Sequence, residues 1–192
     1  MKLRDYQSNI KEKLESKEFT RFLLAWPRRA GKDFLAIQLC MDRCREKKSV
    51  VYYVFPTWRI ARCIMPEWKF IQFYNGSSIR IIGDNDPKKL ELGFPDLCIF
   101  SEYSMINPLL SSSVYEQCNE GGGDAIFIGT PHLSPDDPMR MLYNKVKDDK
   151  NWYIEALTVD DTKHLPENYI KDEIENGLLS EEIKLREFYP SF

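Results

Sequence analysis

The feature that most restricts how this chain can fold is a series of short apolar runs, each closed by a turn or by small polar residues. "RFLLAW" (21–26), "SVVYYVFP" (49–56), "DLCIFSE" (96–102), "DAIFIGTP" (124–131) and "NWYIEALTV" (151–159) read as strands rich in β-branched and aromatic residues. Helical patterns lie between them. "KDFLAIQLCMDRCREKK" is apolar in its first turns and basic at its end, where a helix dipole favours cations. Another helix is expected around 109–119, "TWRIARCIMPEWKF" reads as a helix broken near Pro66, and "IQFYNGSSIRIIG" as a hairpin turning at Asn75-Gly76. "PENYIKDEIENGLLSEEIKLREFY" supplies two acidic helices. Strands alternating with helices predict an α/β fold with a mostly parallel sheet covered on both faces, whose ligands collect at strand ends.

A chain of 192 residues with 43% hydrophobic content can build one substantial core. No apolar run approaches the roughly 20 residues of a membrane span, and the start, "MKLRDYQSNIKEKLE", lacks a signal-peptide core. The five cysteines form no C-x-x-C pair and only two His residues are present, which favours reduced, buried thiols over a zinc site. Charge is uneven. Residues 1–80 hold 17 Lys and Arg against 8 Asp and Glu, a net +9, and residues 81–192 hold 10 against 22, a net −12. A basic half suits a polyanionic partner, or its charge lies on solvated helix faces.

Three strand ends carry unusual chemistry. "LAWPRRAGKDF" (24–34) stands between a strand and a helix, as a phosphate loop G-x-x-x-x-G-K-[ST] must, but keeps only the Gly31-Lys32 core of that motif. Gly31 permits close backbone approach, the helix start offers free N–H groups, and Lys32 brings a cation to the β and γ phosphates of ATP. Arg28 and Arg29 sit beside that turn, where an anion would relieve their repulsion. "LCIFSE" resembles a Walker B strand, with Glu102 suited to polarise an attacking water. Gly129-Thr130-Pro131 closes the next strand with small and hydroxylated residues able to sense a γ-phosphate. Tyr6 and Gln7 precede the loop at the distance of an adenine-reading glutamine, or Gln7 is an ordinary polar residue of an amphipathic helix.

Asp33 stands where the loop motif has a hydroxyl, and Ser101 where Walker B has a carboxylate. Magnesium takes few protein ligands, hard oxygens and retained waters. The two ligand types are therefore expected to have exchanged sides, with Asp33 contacting Mg2+ directly and Ser101 directly or through water.

The ordered set "LRDYQ", "RRAGKD", "YYVFPTWRIAR", "NGSSIRIIGDND", "DLCIFSEYSMINP", "IGTPH…MLYNKV" and "LSEEIKLREFYPSF" resembles the N-terminal ATPase region of the large terminase subunit of tailed bacteriophages. No single motif is specific; the order is. The resemblance implies a RecA-like P-loop NTPase of the additional-strand type that binds ATP and Mg2+ and moves double-stranded viral DNA into a capsid. It acts there as a homo-oligomeric ring on the portal protein, alongside the small terminase subunit, in the host bacterial cytoplasm. By matching position, Gln7 would read adenine with Tyr6 beside it in the nucleotide site, and Pro27, Arg28, Arg29, Ala30, Gly31, Lys32 and Asp33 would wrap the phosphates. Arg28 or Arg29 would be the loop arginine, Glu102 the catalytic carboxylate, and Thr130 the coupling residue. Arg59 and Arg62 are candidates for contact with DNA or a neighbouring subunit, or are solvated helix charges.

Residues 1–160 are expected to form the ATPase core and 161–192 a helical segment leading to the family's RNase H-like nuclease, which is not expected in this chain. Without that nuclease the chain is expected to be an isolated domain, a split gene product or a prophage remnant, and the segment before "IQFYNGSS", shorter than the family's pattern, gives weight to the remnant. A helicase-like ATPase fragment and a non-catalytic nucleotide-binding protein remain alternatives. The exchanged ligands predict that Asp33→Ser and Ser101→Asp each impair ATP hydrolysis, and that the double variant regains part of the rate in a phosphate-release assay. A double variant no faster than the slower single one would sink the exchange.

Overall fold

Burial on both faces turns the short apolar runs into strands. The computed structural model describes residues 2–66, 69–83, 93–166 and 168–192. Its seven strands are β1 (Arg21–Ala25), β2 (Val50–Val54), β3 (Phe70–Gln72), β4 (Ser78–Ile82), β5 (Leu97–Ser101), β6 (Asp124–Gly129) and β7 (Trp152–Ala156). They form one sheet in the order β3-β4-β2-β5-β6-β1-β7. Every pairing is parallel except β3 with β4, the hairpin through Asn75 and Gly76. All residues of β1, β5 and β6 are buried, as a sheet covered on both sides demands.

The strand period of two divides the core. Phe22, Leu24, Tyr53, Ile99 and Ile126 face one side, where α1 (Asp5–Glu15) and α2 (Lys32–Glu46) cover them with Ile10, Leu14, Leu35 and Leu39. Leu23, Tyr52, Phe100 and Phe127 face the other, against Leu110 and Val114 of α4 (Pro108–Glu120) and Met139 of α5 (Pro138–Val146). Phe100 and Phe127, on neighbouring strands, stack at 4.6 Å between ring centroids.

Several elements differ from expectation. The strand expected over 151–159 ends at Ala156, because Thr158 caps a short helix, α6 (Val159–Thr162), through a bond from the N–H of Asp161 to its hydroxyl. The nine-residue α5 is an addition to the expected elements; it is too short for periodicity to show, and its signal is the Asp137-Pro138 cap. α3 (Trp58–Ile64) is capped by Thr57 and ends before Pro66. The rest of "TWRIARCIMPEWKF" includes residues 67–68, and "IIGDND" includes 84–86, which lie outside the described residues. The acidic tail folds as α7 (Tyr169–Glu175) and α8 (Glu181–Phe188). Cys40, Cys44, Cys98 and Cys118 are buried free thiols as expected, and Cys63 is exposed on α3. Burial pushes the Cys44 thiol up to about 11 and raises Cys40 further. Among the described residues no helix is long and apolar enough to cross a membrane.

One buried ionic group ties α2 to the sheet. Asp124, fully buried at the start of β6, accepts hydrogen bonds from Arg43 at 2.6 Å and from the half-exposed Lys17 at 2.5 Å. Removing the carboxylate leaves Arg43 buried without its counter-charge. Asp124→Ala is therefore expected to lower unfolding free energy by about 3 kcal/mol in urea titration, with Lys17→Ala costing far less.

Candidate active site

The loop between β1 and α2 is built by backbone geometry before any charge enters. The N–H of Trp26 donates to the carbonyl of Gly129 at 3.0 Å, and that of Ala30 to Pro27 at 3.3 Å, closing a tight turn. Gly31 caps α2 with φ +79° and ψ +35°, and no side chain caps this helix start. The position requires glycine twice over: the backbone is left-handed, and a Cβ would stand 2.7 Å from Nε2 of Gln7.

α1 holds the loop from outside. Nε2 of Gln7 donates to the carbonyls of Ala30 (3.2 Å) and Gly31 (3.0 Å), and the Tyr6 hydroxyl donates to Ala30 at 2.8 Å. In a trans peptide the N–H points opposite the C=O, so the N–H groups of Gly31 and Lys32 turn away from α1. The first N–H groups of a helix lack intrahelical acceptors, and together these make a set of free donors suited to an anion.

Lys32 is buried, and its ammonium meets three strand ends. Nζ donates to Thr130 Oγ1 at 2.9 Å and to the Pro27 carbonyl at 3.4 Å, and lies 3.5 Å from Oε1 of Glu102. Thr130 passes the link on by donating to the Trp26 carbonyl at 2.9 Å. Glu102 follows β5 in a left-handed conformation (φ +50°, ψ +50°), a strained state for a non-glycine residue of the kind that clusters at functional sites. Gly129 permits this turn, since a Cβ there would meet the Tyr103 nitrogen at 3.0 Å. Pro131 follows Thr130 in the same buried exit.

Asp33 and Ser101 face each other across α2 and β5. The Ser101 hydroxyl donates to Asp33 Oδ1 at 2.9 Å, and the Tyr53 hydroxyl donates to the same oxygen at 2.8 Å. Burial and the charge of Asp33 hold the Tyr53 phenol well above its ordinary value, so it stays a donor. Among the described residues no cluster of three or more His, Cys, Asp or Glu could hold a metal. The donor chemistry nevertheless fits Mg2+, which takes one or two carboxylates alongside substrate phosphates. Asp33 would hold it, and Ser101, whose proton goes to Asp33, would act chiefly through that carboxylate.

The Gln7 amide is buried and supports the loop: both its N–H groups donate to loop carbonyls, and its Oε1 accepts the N–H of Arg4 at 3.0 Å. The Tyr6 ring likewise packs edge-on against Trp26. Arg29 occupies the left-handed corner of the turn (φ +64°), which sends its guanidinium outward to the Tyr169 hydroxyl at 2.9 Å and over the Tyr169 ring. Arg28 is exposed, and the C-terminal segment holds its backbone: its N–H donates to the Glu187 carbonyl at 2.6 Å, and Nε2 of His164 donates to its carbonyl at 2.9 Å.

Arg59 and Arg62 are exposed on α3, which follows β2 at the same end of the sheet, and Arg62 lines a groove of about 480 Å³ with Trp58, Lys69 and Phe70. Sequence reasoning missed Tyr53, His164 and Asp137. Buried Asp137 accepts from the Ser104 hydroxyl at 3.1 Å and from the His132 N–H at 3.0 Å, joining the turn after Glu102 to the exit of β6. No catalytic motif marks these three: Tyr53 is brought in by the register of β2, Asp137 by the cap of α5, and His164 by the turn after α6.

No family model and no curated protein matches the chain at the level of sequence. Solved structures do. The large terminase of a thermophilic bacteriophage, in complex with ADP, aligns over 99% of this chain and 53% of its own, at TM-score 0.75 and 14% identity. A mutant of the large terminase ATPase domain from a Thermus phage aligns over 100% of this chain and 94% of its own, at TM-score 0.74 and 15% identity. Pif1 of a Bacteroides species in complex with ADP-AlF4 aligns over 95% of this chain and 48% of its own, at TM-score 0.51 and 14% identity. The chain therefore has the RecA-like P-loop fold of these proteins, and it spans about half the length of the ADP-bound terminase.

Because Gln7 sets the loop, Gln7→Ala is expected to weaken nucleotide binding roughly tenfold without selecting against adenine, the loss of a buried hydrogen-bond pair being worth about 1–3 kcal/mol. Titration with ATP and GTP analogues checks it: an adenine-reading role would instead erase the preference for ATP.

Proposed function

We propose that the chain is the ATPase motor domain of a phage DNA-packaging enzyme, hydrolysing ATP to drive double-stranded DNA into a capsid. The observation that carries this reading is the meeting of Lys32, Thr130 and Glu102 at the ends of three neighbouring parallel strands, beside the uncapped start of α2.

The loop N–H groups and Lys32 bind the phosphates of ATP. Glu102, partly exposed at the mouth, orients a water and accepts its proton as the oxygen bonds to the γ-phosphorus, while the bond from that phosphorus to the β–γ bridging oxygen breaks and ADP leaves. Bound Mg2+ would neutralise charge on the phosphate oxygens, with Asp33 as its protein ligand. Thr130, hydrogen-bonded to both Lys32 and the loop backbone, moves when Lys32 follows the departing phosphate. Asp137 then carries that movement to α5. Double-stranded DNA, a portal protein, a small terminase subunit and a ring of copies of this chain are the partners that this reading requires, with Arg59 and Arg62 offered to DNA or a neighbouring copy. The bacterial cytoplasm of an infected host is where it would act. The Pif1 likeness favours a second reading, a helicase-like DNA-dependent ATPase.

Lys32→Ala is expected to abolish turnover and weaken ATP binding by at least about tenfold. Glu102→Gln is expected to bind ATP normally while losing roughly 10²–10⁴-fold in rate. Phosphate release and nucleotide titration, each with and without duplex or forked DNA, read both. Unwinding of forked DNA would favour the helicase reading, and ATP binding with no turnover under any of these conditions would leave a non-catalytic protein.

A further inference from the structure

Tyr53 belongs to no motif and lies in mid-strand on β2, yet its hydroxyl reaches the candidate metal ligand. Its side chain is wholly buried and packs against Phe55 at 4.3 Å between ring centroids. The strand register sets it beside Ile99, two residues before Ser101, so both hydroxyls lie on the face that α2 covers. There they converge on one atom, Oδ1 of Asp33, at 2.8 Å and 2.9 Å.

A carboxylate oxygen has two lone pairs, so the two donors saturate Oδ1. Among the described residues no hydrogen bond reaches Oδ2. A buried phenol needing only an acceptor would be satisfied by either oxygen. Two hydroxyls from different strands on the same one stop the carboxylate rotating and leave the other oxygen its full capacity. This is the arrangement by which outer groups orient a metal ligand.

We infer that Tyr53 is a positioning residue that, with Ser101, pins one oxygen of Asp33 so that the other is presented to a divalent cation carried by the nucleotide. The inference rests on the nucleotide-site reading above.

The test is titration of the whole chain with fluorescent ADP, in EDTA and in Mg2+, the readout being the gain in affinity that the metal confers. Tyr53→Phe keeps the packed ring. It is expected to reduce that gain about tenfold while leaving the affinity in EDTA within about twofold of the parent. Ser101→Ala should reduce the gain similarly, and Mn2+ bound with ADP should give a broadened electron paramagnetic resonance spectrum in either variant. Full retention of the gain in Tyr53→Phe, when Asp33→Asn loses it, would overturn the inference and leave the nucleotide site standing. Equal losses with and without metal would also overturn it, making Tyr53 a support of the loop. A parent chain that binds ADP under neither condition would remove the nucleotide reading and this inference with it.

Discussion

A buried ammonium is tolerated only where acceptors replace the water it has lost. Lys32 has three N–H groups and three oxygens around it: the Pro27 carbonyl, Thr130 Oγ1 and the Glu102 carboxylate. They come from the ends of β1, β6 and β5, so the charge is satisfied only while those strands keep their relative register. The same three oxygens define where a phosphate would compete for Lys32. Stability of the sheet's upper edge and readiness for an anion are thus one arrangement.

Around that cation the loop is held from two sides. α1 grips the carbonyls of Ala30 and Gly31, which leaves the loop N–H groups facing the other way. The C-terminal segment grips the backbone of Arg28 through Glu187 and His164 and the side chain of Arg29 through Tyr169. The C-terminal segment therefore touches the loop between β1 and α2 directly, and a shift of that loop would reach α7 and α8 without passing through the sheet. Desolvation and the nearby cations Arg4, Lys32 and Arg29 keep the His164 imidazole below its ordinary value, which suits a neutral donor to the Arg28 carbonyl.

Much of the fold was legible because fully buried parallel strands leave near-continuous apolar runs, and "RFLLA", "LCIFS" and "DAIFIG" are such runs. Elements too short to show a period were not legible, α5 and α6 among them. In the site, Gly31 and Lys32 could be picked out by the core of a phosphate-loop pattern, and Glu102 and Thr130 by their places directly after apolar strands. That these strand ends share one ligand was an expectation from the sequence; the contacts themselves depend on β6 lying between β5 and β1. Gln7 could be singled out but its contacts could not: a free amide and one bonded to loop carbonyls look alike in sequence.

Residue order was enough to establish the alternation of strand and helix and the residue types at each strand end, with a carboxylate, Asp33, on the loop and a hydroxyl, Ser101, on β5. Local propensity and periodicity need no partner to be read. That Tyr53 joins that pair, that Arg29 faces Tyr169 and that the tail returns to the loop emerged only from the folded arrangement. Each of these depends on which strands lie side by side and in what register, and a one-residue slip along β2 would turn the Tyr53 hydroxyl to the opposite face of the sheet.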